Sequence, residues 1–152
     1  MSPETSPVSQ AHLVVGFDDS PPAQRALAAA TRLLSVRPGR ITVVWVAHLT
    51  SAVELSADAV AIVESDFGQV AQEIRTAVGE QLAGSGLTWD FRWRQGQIAH
   101  ELIAAAESVQ ADRPDDMVVI LVGSSSSAMH RVVGSIAVSL AHHSPVPVTI
   151  VP

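Results

Sequence analysis

Two short segments hold residue types from which a small-molecule site can be built. Near the start stands Gly16-Phe17-Asp18-Asp19-Ser20. Far downstream stands Gly123-Ser124-Ser125-Ser126-Ser127, which leads into Gly134-Ser135. An acidic side chain after a strand accepts hydrogen bonds from a base or a ribose. A glycine- and serine-rich turn that opens a helix offers backbone N–H groups and hydroxyls to a phosphate. An acceptor on one side and donors on the other suit a nucleotide. Each segment also has a plainer reading. Asp18-Asp19 fits a solvated turn that caps the next helix, the serine run fits a flexible connection, and serine is common at the start of a helix, as at Ser135.

Other chemistries find less support. The chain has no cysteine, which removes disulfides, thiolate nucleophiles and cysteine-based zinc sites. No G-x-S-x-G elbow occurs and no Ser-His-Asp assignment is compelling. Neither G-x-G-x-x-G nor a lysine-bearing phosphate loop is present, which argues against dinucleotide redox chemistry and efficient nucleotide hydrolysis. Phosphoacceptor chemistry of the receiver-domain kind would need an aspartate after the third strand and a later lysine. The chain has Arg94-Gln95-Gly96 there and no lysine at all. The six histidines are scattered. The adjacent pair His142-His143 points in different directions on a helix and cannot share a metal, so the histidines are expected to be ordinary surface or partly buried side chains. A slow ATP hydrolysis would need a group that stabilises the transition state, and none is identifiable beyond a few hydroxyls. The chain therefore reads as a binder, not an enzyme, with no catalytic residue and no metal ligand assigned.

The elements that position the two segments follow from hydropathy. Residues 12–17, 41–47 and 117–122 are continuous apolar runs, as expected for strands covered on both faces. Residues 87–94 alternate instead, Leu87, Trp89, Phe91 and Trp93 against Thr88, Asp90, Arg92 and Arg94. That pattern belongs to an edge strand with one wet face, whose charges discourage unwanted pairing. The aromatic stripe reads as core beneath a helix. Ser20-Pro21 opens a helix whose inner face is Leu27, Ala30, Leu33 and Leu34. Asp66 with Gln69 resembles a capping box for a helix carrying Phe67, Val70, Ile74, Val78 and Leu82, which leaves residues 50–64 as a loop. Ile98, Leu102, Ile103, Ala106 and Val109 form another helical stripe, and residues 132–142 a last helix with Val133, Ile136, Ala137 and Leu140 inward. Residues 146–151 make the final strand, at an edge because Pro147 lacks an N–H.

Strand and helix alternate throughout, the pattern of a parallel sheet with helices on both faces. With the alternating strand at one edge, the order 3-2-1-4-5 follows. The first and fourth strands are then neighbours whose outgoing helices lie on opposite faces, and ligands bind in the crevice between their carboxyl ends. This geometry brings the acidic turn and the serine-rich turn face to face. Residues 1–10, rich in proline and serine, read as a disordered tail, and residues 11–152 as one domain.

The segments VVGFDDSPPAQRAL, ITVVWVAH, GQIAHELIAAAE and ILVGSSSS followed by VVGSIAVSLAHHSPVPVTIVP, in that order and spacing, resemble the universal stress proteins over nearly the whole chain. The resemblance implies a doubly wound five-stranded parallel sheet of the adenine nucleotide alpha hydrolase-like kind, a homodimer paired through the C-terminal strand, and ATP binding in some members. It implies that Asp18, with Ser20 in the same D-x-S pattern, contacts the nucleoside, and that the Val46 backbone late in the second strand holds adenine. It implies a phosphate loop of the form G-x2-G-x9-G-[S/T], whose first glycine is Gly123 and whose last pair is Gly134-Ser135. The middle departs from this pattern. Ser126 stands at the second glycine, and residues 127–133 leave the loop two residues short. The candidate nucleotide contacts are therefore Gly16, Asp18, Ser20, Val46, Val122, Gly123, Ser126, Gly134 and Ser135. The altered loop implies a weakened phosphate grip, with ATP or a smaller AMP-like ligand as the expected nucleotide. Magnesium would accompany ATP alone. A nucleotide-free dimeric interaction protein of the same fold is the alternative.

Charge bounds the partners further. The formal net charge is −6 and every basic side chain is an arginine. Such a chain is a poor polyanion binder, so nucleic acid is not expected. No apolar run reaches the ~20 residues needed to span a bilayer, and the first ten residues lack the features of a signal peptide. A cytoplasmic location is the expectation.

Overall fold

The computed structural model describes residues 9–48, 56–124 and 134–152. Nine elements alternate along them: β1 (Ala11–Gly16), α1 (Pro21–Leu34), β2 (Gly39–Ala47), α2 (Ala57–Leu82), β3 (Thr88–Gln95), α3 (Ile98–Asp112), β4 (Met117–Gly123), α4 (Ser135–His143) and β5 (Val148–Val151). The strands form one five-stranded sheet in the order β3-β2-β1-β4-β5. Every neighbouring pair is parallel, as the alternation of strands and helices requires.

The pleat sorts side chains onto two cores. Leu13, Val15, Phe17, Ile41, Val43 and Trp45 face α1 and α2. Val14, Val44, Val46, Val118, Ile120 and Val122 face α3 and α4. Because both faces of β1, β2 and β4 are covered, these strands read as unbroken apolar runs rather than alternating ones. β3 has one covered face. Trp89 and Phe91 pack against the α1/α2 core, while Trp93 stays 41% exposed beside Trp45 at a ring separation of 6.2 Å.

Several local expectations are corrected. α2 starts at Ala57, nine residues before the Asp66 signal, and its N-cap is Ser56, whose hydroxyl accepts the Ala59 N–H at 3.3 Å. Residues 50–55 of the expected loop lie outside the described residues. The first two turns of α2 bury little, and Ile62 is 63% exposed, so burial periodicity could not announce them. Leu33, expected inward on α1, is 45% exposed, and Ala23 and Ala26 are buried instead. α4 begins at Ser135, with Val132 and Val133 outside the described residues. β5 begins at Val148, although the Pro147 carbonyl still accepts the Ile120 N–H at 2.9 Å. Gln10, assigned to the tail, is held on both sides: its N–H donates to Asp116 Oδ1 and its carbonyl accepts the Met117 N–H. Residues 1–8 of the tail lie outside the described residues. Finally, His12 is neither a surface nor a partly buried histidine. It is 4% exposed at the start of β1.

Candidate functional site

The strand order puts β1 beside β4, with α1 leaving on one face and α4 on the other. Where the two chain paths part, a cavity of about 210 Å³ opens at the carboxyl ends of the strands. Gly16, Asp18, Ser20, Val46, Val122, Gly123, Gly134 and Ser135 all line it. These are the sequence candidates that fall within the described residues. Ser126 lies outside them, as does the rest of residues 125–133.

The acidic wall is held locally. Asp18 Oδ1 accepts the Ser20 backbone N–H at 3.0 Å and the Ser20 hydroxyl at 2.5 Å. The same hydroxyl accepts the Ala23 N–H at 3.4 Å as the N-cap of α1. Ser20 thus starts the helix and fixes the Asp18 carboxylate in one small ring. The turn passes through Asp19 at φ 63°, a left-handed backbone that Asp tolerates better than most residues. The Asp19 carbonyl and Oδ1 both accept from Gln24 Nε2 at 3.1 Å, which steadies it. No intramolecular hydrogen bond is recorded to Asp18 Oδ2 among the described residues, and that oxygen has open acceptor capacity beside the cavity.

The opposite wall is the first turn of α4. Its N-cap is Gly134, which has no side chain to cap with, and no side-chain capping bond is present among the described residues. The first N–H groups of a helix have no intrahelical partner. Here they belong to Ser135, Ile136 and Ala137, which line the cavity, at the positive end of the helix dipole. Between the polar ends the lining is apolar: Val46 and Val122 from the sheet, Ile98 and Leu102 from the first turns of α3. An apolar slot with an acceptor at one end and uncapped N–H donors at the other fits the parts of a nucleotide.

Two glycines allow the close approach. A Cβ on Gly16 would fall 3.1 Å from Leu102 Cδ1, so a side chain there would press into the slot. A Cβ on Gly123 would fall 2.1 Å from the Pro22 carbonyl oxygen, so β4 can run against the first turn of α1 only with glycine there. Phe17, Trp45, Ile98 and Leu102 also line the cavity and were not among the sequence candidates. Ile98 and Leu102 did appear there as part of a helical stripe. What was missing was that the top of the stripe overhangs the crevice while the rest packs on the sheet.

The profile of the Universal stress protein family matches residues 11–152. The chain belongs to that family. No curated protein matches it. Among solved structures, a universal stress protein of Lactobacillus plantarum is similar at 19% identity and TM-score 0.70, with 95% of this chain and 99% of that one covered. A universal stress protein in complex with cAMP is similar at 20% identity and TM-score 0.61, covering 95% of this chain and 98% of that one. The universal stress protein of Archaeoglobus fulgidus in complex with dAMP is similar at 16% identity and TM-score 0.52, covering 95% and 99%. At these identities the likeness establishes the shared fold.

Proposed function

We propose that the chain is a stress-response protein that binds an adenine nucleotide, ATP or AMP-like, in the crevice between β1 and β4, without fast turnover. The observation that carries this reading is the pairing of the Asp18 carboxylate with the uncapped first turn of α4 across one cavity. Asp18 would accept from the ribose hydroxyls, the apolar slot beside Val46 would take the base, and the N–H groups around Ser135 together with Gly123 would meet phosphate. Two similar structures that hold cAMP and dAMP support adenine as the base. The loop after Gly123 is shorter than the pattern by two residues and has Ser126 at its second glycine. That favours a ligand with one phosphate over a triphosphate, and magnesium would be required only with ATP. The protein would act in the cytoplasm as a homodimer paired through β5.

Calorimetric titration with AMP, cyclic AMP and ATP tests the reading. Heat of binding is expected with at least one of them, strongest for the monophosphates. Asp18→Ala should weaken it about tenfold or more, the cost of losing hydrogen bonds to a charged acceptor. No heat at millimolar nucleotide, or an Asp18→Ala protein that binds as well as the parent, would favour the nucleotide-free interaction protein that the shortened loop also suits.

A further inference from the structure

The first two turns of α3 lie across the ends of three strands. Leu102 stands over β1, where a Cβ on Gly16 would fall 3.1 Å from its Cδ1. Glu101 leans toward β3, where its Oε2 accepts from Arg94 Nε at 2.6 Å. Successive residues of a helix are turned by about 100°, so Ile98, one turn earlier, projects between Leu102 and Glu101. It therefore stands over β2, and it lines the cavity together with Val46 of that strand. The strand register agrees. Val46 is the direct partner of Arg94, and partners in register share a face of the sheet. The ion pair thus joins sheet to helix on the β3 side of the apolar slot.

Arg94 differs in this from the other charged residues on its face of β3. Asp90 and Arg92 pair with each other at 2.9 Å, beside a second pocket at the opposite end of the sheet that His12 also lines. Thr42 Oγ1 lies there 2.8 Å from His12 Nε2 and 2.7 Å from Asp90 Oδ1. Arg94 reaches α3 instead, and the local backbone makes room for it to do so. The chain enters α3 through Gly96 at φ 143°, and the Cβ that Gly96 lacks would fall 3.0 Å from Glu101 Oε1. Gln97, the N-cap of α3, makes no side-chain capping bond among the described residues. Among those residues the cavity takes no lining from β3. It ends at Val46 and Ile98, and the ion pair stands behind them.

We propose that Arg94 and Glu101 determine which bases the crevice accepts, a role that rests on the nucleotide reading of that site. Their ion pair is the end stop of the base slot and limits it to a purine without a bulky group at carbon 6. With the ribose at Asp18 beyond β1 and the base beside Val46 on β2, the ring edge remote from the sugar points toward β3. In adenine that edge carries the 6-amino group. A large substituent on it has to part Arg94 from Glu101. A substituent at carbon 8 lies on the sugar side of the ring and does not meet them. Selection of this kind comes from an obstacle to the wrong ligand, not from a contact with the right one.

Calorimetric titration of the parent, Arg94→Ala, Glu101→Ala and Arg94→Lys with AMP, N6-benzyl-AMP and 8-benzylamino-AMP tests the proposal. The parent should bind N6-benzyl-AMP about tenfold or more weakly than AMP. In both alanine variants that gap should close to about threefold or less, with AMP affinity little changed. The two variants sit on different elements, so a folding fault in one leaves the other to decide. The carbon-8 analogue should gain nothing in either, whereas a slot loosened as a whole would admit both analogues. Arg94→Lys keeps a cation opposite Glu101 and should restore the exclusion. N6-benzyl-AMP bound by the parent as well as AMP, a gap unchanged in both alanine variants, equal gains for both analogues, or no restoration by Arg94→Lys would each overturn the role of the pair while AMP still binds. No AMP binding by the parent would instead overturn the nucleotide reading, and this role with it.

Discussion

The Cβ that Gly123 lacks would fall 2.1 Å from the carbonyl oxygen of Pro22, 2.3 Å from its carbonyl carbon and 2.7 Å from its Cβ. The nearest obstacle is backbone, not the end of a flexible side chain, so the first turn of α1 would have to withdraw. That turn also carries Ser20 and follows directly from Asp18. The contact therefore ties the two walls of the crevice together.

Gly123→Ala is expected to destabilise the protein by about 1–3 kcal/mol, the range for an overpacked site. For a chain of this size that lowers Tm by about 2–4 °C per kcal/mol. Nucleotide affinity should fall with it, because the shift moves Ser20 and Asp18. A thermal melt and a calorimetric titration on the same protein check both. A variant with unchanged Tm would show that α1 can step back freely.

Ser20→Ala separates helix capping from ligand binding. It removes the N-cap acceptor for Ala23 and the hydroxyl that donates to Asp18. The expected stability loss is about 1 kcal/mol, the usual value of a serine cap. Asp18 keeps the Ser20 backbone N–H at 3.0 Å, so nucleotide binding should weaken by less than in Asp18→Ala. If Ser20→Ala abolishes binding as completely as Asp18→Ala does, Ser20 touches the ligand itself.

His12 gives the protein an acid-sensitive element. Its pKa falls from 6.5 to about 4, first through burial and then through Arg40 and Arg113, against which Asp90 and Asp116 pull upward. Arg92 and Asp112 share its pocket. The unfolded chain takes up a proton below pH 6.5 that the folded chain refuses until about pH 4. The unfolded state thus binds more protons in that window, and stability must fall as pH drops through it. The contribution is on the order of 3 kcal/mol by pH 4. Urea midpoints of the parent and His12→Val, measured from pH 7.5 down to 4.5, check this. The parent should lose stability over that range and His12→Val should lose distinctly less. Parallel curves would mean His12 titrates alike in both states.

Much of the architecture could be read from hydropathy because both faces of β1, β2 and β4 are buried, and an unbroken apolar run has few other homes. β3 announced its edge position through Asp90, Arg92 and Arg94. The crevice followed from strand order alone, which is why the candidate residues of two distant segments meet in one cavity. The start of α2 was hidden for the opposite reason. From Ala57 to Glu64 the helix buries no residue fully, so no stripe marks it, and Asp66 imitated a cap further along. His12 was hidden because a single polar residue in an apolar strand carries no sign of its partner. Only the register Thr42 to Asp90, and His12 two residues out of line with Thr42, bring the three together. Ile98 and Leu102 looked like core because their helical spacing is the same whether they meet a sheet or a ligand.

The two edges of the sheet differ in a way that predicts assembly. β3 presents Asp90, Arg92 and Arg94, charges of the kind that deter pairing. β5 is Val148–Val151, uncharged, and among the described residues it pairs with β4 on one side only. The carbonyl of Pro147 accepts the N–H of Ile120 in β4, and that of Val151 accepts the N–H of Ser124 just after it. Residues alternate along a strand, so Val148 and Ile150 turn their backbone groups outward. An apolar strand with open N–H and C=O groups is suited to pair with its own copy. Light scattering is expected to give twice the 16.0 kDa of the chain. Val148→Pro removes one outward N–H, leaves the bonds to β4 in place, and falls at the first position of the strand, where proline is tolerated. It should shift the protein to monomer with little loss of secondary structure by circular dichroism. A parent protein that is monomeric at micromolar concentration, or a Val148→Pro dimer as stable as the parent, would place any pairing surface elsewhere than β5.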